Sequence, residues 1–289
     1  MTCATLDAEL GMRLSFKCEN LQKVGAFKAR GAVNAVLCLS DDAAAKGVAT
    51  HSSGNHAAAL AYAARIRGVP CTVVMPTGAS PIKVEAVRGY GANIVFCEAG
   101  ERESTCEQVL SDTGATFVPP FDHPDIVAGQ GTAALELMEA APDLDVIVAP
   151  VGGGGLLAGT ALAASGCSPS PRVFGAEPDA VDDAYRSMQT GVRQPAVKSP
   201  TTIADGLLTG LGELNFAVLQ ERSVEIITVS DDAIVAAARD HLERMKLLVE
   251  PSGATPLAAI RARRAEWAGL SVGVIISGGN TDLKWLAAS

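Results

Sequence analysis

The chain has 289 residues, which is long enough to bury a large hydrophobic core in one domain or in two lobes. Hydrophobic residues make up 48% of it, which excludes a disordered protein, and a net charge of −9 argues against nucleic acid or an acidic membrane as a partner. No apolar run has the length of a membrane span, no signal-peptide pattern opens the chain and seven scattered cysteines form no CxxC pair, so we expect a cytoplasmic protein.

Short β-branched runs alternate with Ala-rich segments of helical length. The predicted strands are Leu14–Cys18, Gly47–Thr50, Cys71–Met75, Asn93–Cys97, Thr116–Val118, Val146–Ala149, Arg172–Ala176, Val224–Val229 and Val272–Ile276. The predicted helices are Lys28–Leu39, Asn55–Arg67, Ile82–Tyr90, Gly131–Ala140, Leu156–Ala164, Asp232–Met245 and Ala254–Arg264. This alternation predicts an α/β protein with parallel-rich sheets flanked by helices. The polar stretch from Asp182 to Leu208 breaks the pattern and is predicted to be an irregular loop.

Three glycine-rich turns follow predicted strands, which is where ligands bind in parallel sheets. They are Ser52-Ser53-Gly54-Asn55-His56, Gly152-Gly153-Gly154-Gly155 and Ser277-Gly278-Gly279-Asn280. Glycines at such a turn let backbone N–H groups converge on an anion, and a tight turn without a ligand is the alternative for each. The four glycines match neither GxGxxG nor GxxxxGK[ST], which argues against a dinucleotide or a P-loop nucleotide.

A lysine, Lys28, opens the first long predicted helix, directly after Gly25-Ala26-Phe27. A partly desolvated lysine near a helix N-terminus gives up its proton more readily, which suits a nucleophile that forms a Schiff base. Most lysines in proteins are solvated surface charges, and this is the alternative to a Schiff-base role for Lys28.

In their order, these motifs resemble those of the fold-type II pyridoxal-phosphate (PLP) enzymes, and within them the serine racemase and serine/threonine dehydratase family. The resemblance runs from about Leu14 to Leu283 and includes Thr202–Gly206 and Glu250–Ala254. It implies a two-lobed, tryptophan synthase β-like fold, with residues 1–46 and 126–289 as a large PLP-binding domain and 47–125 as a small domain inserted in it. It also implies a small amino-acid substrate and a homodimer.

The resemblance also implies roles for individual residues. Lys28 would carry PLP covalently and exchange protons with the substrate, with Ser53 as the second proton carrier. The residues implied in holding the cofactor are Lys28, Phe27, Asn55, Gly152, Gly153, Gly154, Gly155 and Ser277. Those implied in binding the substrate are Ser52, Ser53, Asn55, His56 and Arg102. Arg102 would bind a second carboxylate, and a solvated charge at a helix start is the alternative for it.

An acidic segment is similar to the divalent-cation site of the family. Its members here are Glu177, the backbone carbonyl of Val181 and Asp183. Two carboxylates and a carbonyl suit a hard ion such as Mg²⁺ or Ca²⁺. An acidic surface loop without an ion is the alternative.

From the resemblance we expect an L-serine/L-threonine dehydratase, an ammonia-lyase that gives a 2-oxo acid and ammonia, with serine racemase activity at the same site. The alternatives are a serine racemase, a threo-3-hydroxyaspartate ammonia-lyase and, outside enzymes, a catalytically silent PLP-binding protein. Elimination and racemisation both begin with loss of the α-proton, so one site can perform both.

Overall fold

The computed structural model describes residues 1–287, which form two compact units. The first unit consists of Met1–Phe27 and the chain from Gln130 onward, and the second consists of Lys28–Gly129. The strands are β1 (Arg13–Cys18), β2 (Val48–His51), β3 (Cys71–Pro76), β4 (Asn93–Cys97), β5 (Thr116–Phe117), β6 (Val146–Pro150), β7 (Arg172–Pro178), β8 (Glu225–Val229) and β9 (Ser271–Ile276). The helices are α1 (Ala4–Leu10), α2 (Lys28–Cys38), α3 (Asp41–Ala45), α4 (Asn55–Arg67), α5 (Pro81–Gly89), α6 (Arg102–Thr113), α7 (Pro124–Ala140), α8 (Gly155–Ser165), α9 (Asp183–Thr190), α10 (Glu213–Glu221), α11 (Asp231–Met245) and α12 (Pro251–Ala262).

The first unit is built on a five-stranded sheet of order β1-β9-β6-β7-β8, in which all neighbours run parallel. Strands β6 and β9 are buried along their whole length, which explains why their sequences are unbroken apolar runs. Helix α12 contributes Leu257 and Ile260 to the core of this unit. The glycine-rich turns after β6 and β9 therefore follow two strands that are buried throughout.

The second unit has a four-stranded parallel sheet of order β4-β3-β2-β5. Helix α4 buries a run of small residues, and α2 packs closely against it. This packing places α2 in the same compact unit as α4. The domain boundaries predicted from the sequence, with residues 1–46 in the large domain and 47–125 as the small one, stay a prediction.

The predicted fold class is confirmed: the protein is α/β, with two parallel sheets flanked by helices. The predicted irregular loop from Asp182 to Leu208 is wrong in its first part, where α9 forms. This polar helix is stable because the carboxylate of Glu177 accepts hydrogen bonds from two N–H groups of its first turn. Helices α1, α3 and α10 were not predicted either, whereas the start of α6 at Arg102 agrees with the helix start that the sequence indicated there. Within residues 1–287, no helix combines the length and the apolar character that crossing a membrane requires.

Candidate active site

Lys28 is the first residue of α2 and its side chain is half-buried. Its Nζ donates to the carbonyl of Pro120, at 2.5 Å. The N-terminus of α2, with the positive end of the helix dipole, therefore lies beside this amine. A lysine in these surroundings is suited to act as a nucleophile and as a proton carrier.

The Ser52–His56 turn joins β2 to α4 in the same unit. Its start is fixed to the neighbouring strand, because the Ser52 N–H donates to the carbonyl of Val74. The Ser52 hydroxyl accepts a weak hydrogen bond from the Gly54 N–H, at 3.4 Å. Ser53 is half-buried, and its hydroxyl makes no hydrogen bond to the part of the chain that the structure describes. Ser53 is therefore open to a ligand.

His56 is buried at the start of α4 and is held in its neutral form. Its Nε2 lies 2.9 Å from the carbonyl of Val118, so Nε2 carries the proton and Nδ1 is left as an acceptor. Burial first, and the nearby charge of Lys28 second, lower the pKa of His56 to about 3. Nδ1 is buried and has no partner among residues 1–287. The segment Val118–Pro120 thus accepts hydrogen bonds from both His56 and Lys28.

Arg102 begins α6 and is exposed, with its Nε donating to the carbonyl of Ala99 at 3.2 Å. Its charge still reaches His51, the last residue of β2. Burial lowers the pKa of His51, the Glu103 carboxylate opposes this, and Arg102 adds to it. Helix α6, which begins at Arg102, packs against β2, the strand that leads into the Ser52–His56 turn.

The glycine run in the first unit presents a set of open backbone donors. It follows β6 and leads into α8, and Gly154 adopts a φ of +90° just before the helix. The N–H groups of Gly152 to Gly155 make no hydrogen bond within the described residues. N–H groups at a helix N-terminus with no internal partner are suited to bind an anion.

The third glycine-rich turn packs on the segment that precedes Lys28 in the chain. The Phe27 N–H donates to the carbonyl of Ser277 at 2.9 Å, and Ala26 pairs with Gly278 as an isolated antiparallel bridge. Ser277 is buried, with 2% of its surface exposed. Phe27 and Ser277, two of the predicted cofactor residues, are thus in direct contact through their backbones.

Sequence reasoning missed a buried carboxylate at this turn, that of Glu250. A Cβ on Gly278 would lie 2.6 Å from Glu250 Oε1, and the Asn280 N–H donates to Oε2 at 3.2 Å. The neighbouring Ser252 hydroxyl accepts from the Gly206 N–H at 2.9 Å. The sequence carried a signal for this contact, since two glycines after a strand allow a bulky group to approach the backbone closely.

The predicted cation ligands lie at the junction of β7 and α9. Both oxygens of Glu177 accept backbone N–H groups, from Ala184 and Tyr185, and burial raises its pKa to about 8. Asp183 accepts from the Leu211 N–H at 2.9 Å, and burial raises the pKa of this carboxyl too. Neither carboxylate has an ion pair with a described residue.

No group of three or more His, Cys, Asp or Glu side chains that could hold a metal ion occurs among residues 1–287. The carbonyl of Val181 accepts no hydrogen bond there. The three predicted donors are therefore two buried carboxylates, each used by backbone N–H groups, and one open carbonyl.

Comparison with known proteins gives consistent results over nearly the whole chain. Residues 1–278 match the sequence model of the family described as "Pyridoxal-phosphate dependent enzyme". The chain is 47% identical to a serine racemase of Dictyostelium discoideum, over 98% of this chain and 89% of that protein. It is 50% identical to a β-hydroxyaspartate dehydratase of Paracoccus denitrificans, over 96% of this chain and 88% of that protein. The solved structure of a threonine deaminase from T.th. is similar with a TM-score of 0.93 and 44% identity, over 98% of this chain and 92% of that one.

Proposed function

Because this chain belongs to the PLP-dependent enzymes of the family that includes serine racemases, threonine deaminases and hydroxyaspartate dehydratases, we propose that it removes the α-proton of a small 3-hydroxy amino acid. When bound, PLP supplies an electron sink that stabilises negative charge on the α-carbon. The fate of the deprotonated substrate then decides the product. Return of a proton to the other face inverts the amino acid. Loss of the β-hydroxyl as water instead leaves an enamine, and a water molecule then hydrolyses it to a 2-oxo acid and ammonia.

The open N–H groups of the glycine run are the observation that carries the cofactor assignment. They provide donors without competing partners, which fits the phosphate of PLP. In the proposal, Phe27 and Asn55 would each contribute to holding the cofactor, and Ser277 would offer its pyridine nitrogen a neutral hydroxyl. A neutral partner leaves that nitrogen largely unprotonated, which favours elimination and racemisation over transamination.

Two residues are proposed to move protons at the α-carbon. Lys28 would hold the cofactor through its amine, and its Nζ would accept the proton from the α-carbon. Inversion needs a second proton carrier, and the Ser53 hydroxyl has no partner among the described residues. Ser52, Asn55 and His56 complete the turn that is proposed to bind the substrate carboxylate through its hydroxyl and amide donors.

Racemisation of serine and dehydration of 3-hydroxyaspartate are the two activities that we place first. Two relatives named for these activities are 47% and 50% identical to the chain. The sequence alone favoured a serine/threonine dehydratase, and the likeness to a threonine deaminase structure keeps that activity in the proposal as the second candidate. Arg102 favours a substrate with two carboxylates, because its guanidinium can pair with the second one and helix α6, which it begins, packs against β2.

A substrate panel tests this proposal. L-serine, D-serine, L-threonine and threo-3-hydroxy-L-aspartate are each supplied, and both the oxo acid and the enantiomers are quantified. We expect inversion of serine and oxo acid from hydroxyaspartate. Formation of oxo acid from threonine and serine, with no inversion of serine, would favour the dehydratase instead. No reaction with any of the four substrates would overturn the proposal.

Arg102→Gln separates the two leading substrates. If Arg102 binds the second carboxylate, its loss raises KM for hydroxyaspartate by about 10- to 100-fold, the cost of one charged hydrogen-bonding partner, and leaves KM for serine unchanged. Arg88→Gln is the matched control, since Arg88 is exposed in the same unit and pairs with Glu85. Equal changes for both substrates would remove Arg102 from the substrate site.

We also propose that Glu177, Asp183 and the Val181 carbonyl hold Mg²⁺ or Ca²⁺. Two buried carboxylates without an ion pair fit a bound cation, which would compensate for the cost of burying their charge. We expect either ion to raise the melting temperature and EDTA to lower it. Glu177→Gln should abolish this response, whereas Glu213→Gln, at an exposed carboxylate of the same unit, should leave it intact.

A further inference from the structure

The carbonyl of Gly153 is held by two donors from the start of α10. Asn215 Nδ2 donates to it at 2.7 Å and the Gly212 N–H at 3.2 Å. Asn215 is fully buried, with 0% of its surface exposed. Two donors on one carbonyl fix the direction in which the carbonyl points.

That direction also sets where the next N–H group points. In a planar trans peptide, the oxygen of Gly153 and the amide hydrogen of Gly154 lie on opposite sides of the bond. Since the carbonyl is turned toward α10, the Gly154 N–H is turned away from α10. This N–H makes no hydrogen bond within the described residues. It is therefore presented as an open donor next to the N–H of Gly155.

Close packing leaves this peptide little room to rotate. A Cβ on Gly154 would lie 2.6 Å from Leu211 Cδ1 and 2.8 Å from Asn215 Cβ. Asn215 thus fills the space beside Gly154 and at the same time bonds to Gly153. Without its amide, the Gly153 carbonyl would keep only the longer bond from Gly212.

We propose that Asn215 is a positioning residue for phosphate recognition, which acts through the Gly153 carbonyl to aim the Gly154 N–H at the phosphate of the cofactor. This inference rests on the proposed function, in which the glycine run binds that phosphate. Asn215 itself does not contact the phosphate in this arrangement. Its loss should therefore weaken binding of the phosphate group specifically, and leave the covalent bond through Lys28 available.

The experiment compares two cofactor forms on protein from which the cofactor has been removed. Wild type, Asn215→Asp and Asn215→Ser are titrated with PLP and with pyridoxal, which lacks the phosphate. Aspartate has nearly the size of asparagine but offers no N–H at neutral pH. We expect both variants to bind PLP about tenfold more weakly, with pyridoxal affinity within about twofold of wild type. Gln220→Leu is the control, because this exposed amide on the same helix bonds only to the Gly191 carbonyl.

Each outcome separates this inference from the function on which it rests. If wild type binds PLP and pyridoxal equally, the proposed phosphate role of the glycine run is wrong. Suppose that wild type binds PLP more tightly than pyridoxal. Asn215 then has no positioning role if both variants keep this preference, or if they lose affinity for PLP and pyridoxal equally. The ³¹P resonance of bound PLP gives a second measurement on whichever variant folds. We expect it to shift in the Asn215 variants and not in Gln220→Leu, and an unchanged resonance would also overturn the inference.

Discussion

Lys28, His56 and Glu177 each have a main-chain partner at the candidate site. Lys28 donates to Pro120, His56 to Val118, and Glu177 accepts from the first turn of α9. A main-chain partner stays in place when a neighbouring side chain is replaced. The hydrogen bonds of His56 and Glu177 can therefore be tested by a single substitution at each residue, without a second side chain losing its hydrogen-bonding partner.

Lys28→Ala should abolish both the covalently held cofactor and turnover. The covalent bond needs the amine, and loss of a proton carrier costs about 10²- to 10⁴-fold in rate. The absorbance of the purified protein and its mass after borohydride reduction measure the first effect. Lys23→Ala is the control, because Lys23 is exposed five residues earlier in the chain. If the Lys28→Ala protein still carries the mass of the cofactor after borohydride reduction, another residue binds the cofactor covalently.

His56 should contribute to stability through its bond to Val118. His56→Leu leaves the buried Val118 carbonyl without this donor, which costs about 1–3 kcal/mol of unfolding free energy. His56→Gln offers an amide N–H in place of Nε2 and should lose less. Urea unfolding of both variants with cofactor bound measures the difference. Equal losses would mean that packing of the ring, rather than the hydrogen bond, makes the contribution.

At the scale of elements, the turn between β6 and α8 depends on the first turn of α10. Gly154 has a φ of +90°, and any Cβ there would overlap Leu211 and Asn215. The backbone conformation and the close contact are two separate reasons for glycine at this position. A comparison with another glycine of positive φ can separate them.

Gly154→Ala should destabilise the protein more than Gly191→Ala. Both positions have positive φ, which costs a non-glycine residue roughly 1–2 kcal/mol. At Gly191, with a φ of +70°, the nearest atom to a Cβ is 3.6 Å away, so only this strain applies. At Gly154 the overlap adds to it and should displace α10. Melting temperatures and PLP affinities of both variants test this, and equal effects would show that the contact with α10 is unimportant.

Over the whole molecule, the sequence predicts what depends on local pattern. The buried apolar runs of β6 and β9 and the Ala-rich α4 are marked by their composition and length, so their elements were predicted within a few residues. Helix α9 was missed because its sequence is polar, and because its first N–H groups are capped by Glu177, which lies six residues before the helix rather than at the usual N-cap position. Glu250 was missed because its contact with Gly278 joins segments far apart in the chain. The roles of Lys28, Ser53 and the glycine run stay predictions, because they came from ordered motifs and not from periodicity.

The folded protein should lose stability in mild acid because of a histidine in the core of the first unit. His241 is fully buried against Phe16, its Nδ1 lies 3.4 Å from Met245 Sδ, and its Nε2 has no partner among the described residues. Burial lowers its pKa from 6.5 to about 4, and no charged group contributes to this shift. Between these two values the unfolded chain binds a proton that the folded protein does not.

Stability should therefore be unaffected by His241 above pH 6.5 and fall by about 1.4 kcal/mol per pH unit as the pH drops from 6.5 toward 4. His56 acts in the same direction, and the raised pKa of Glu177 acts in the opposite one, so wild type alone does not isolate His241. The difference in unfolding free energy between His241→Leu and wild type isolates His241, since His56 and Glu177 are present in both proteins. Urea unfolding at pH 7.0, 6.0 and 5.0 should show a shallower decline for His241→Leu, whereas Met245→Leu, which alters the same contact without a titrating group, should follow wild type. Parallel declines in all three proteins would mean that His241 takes up a proton in the folded state without penalty, and that its buried surroundings relax to solvate the charge.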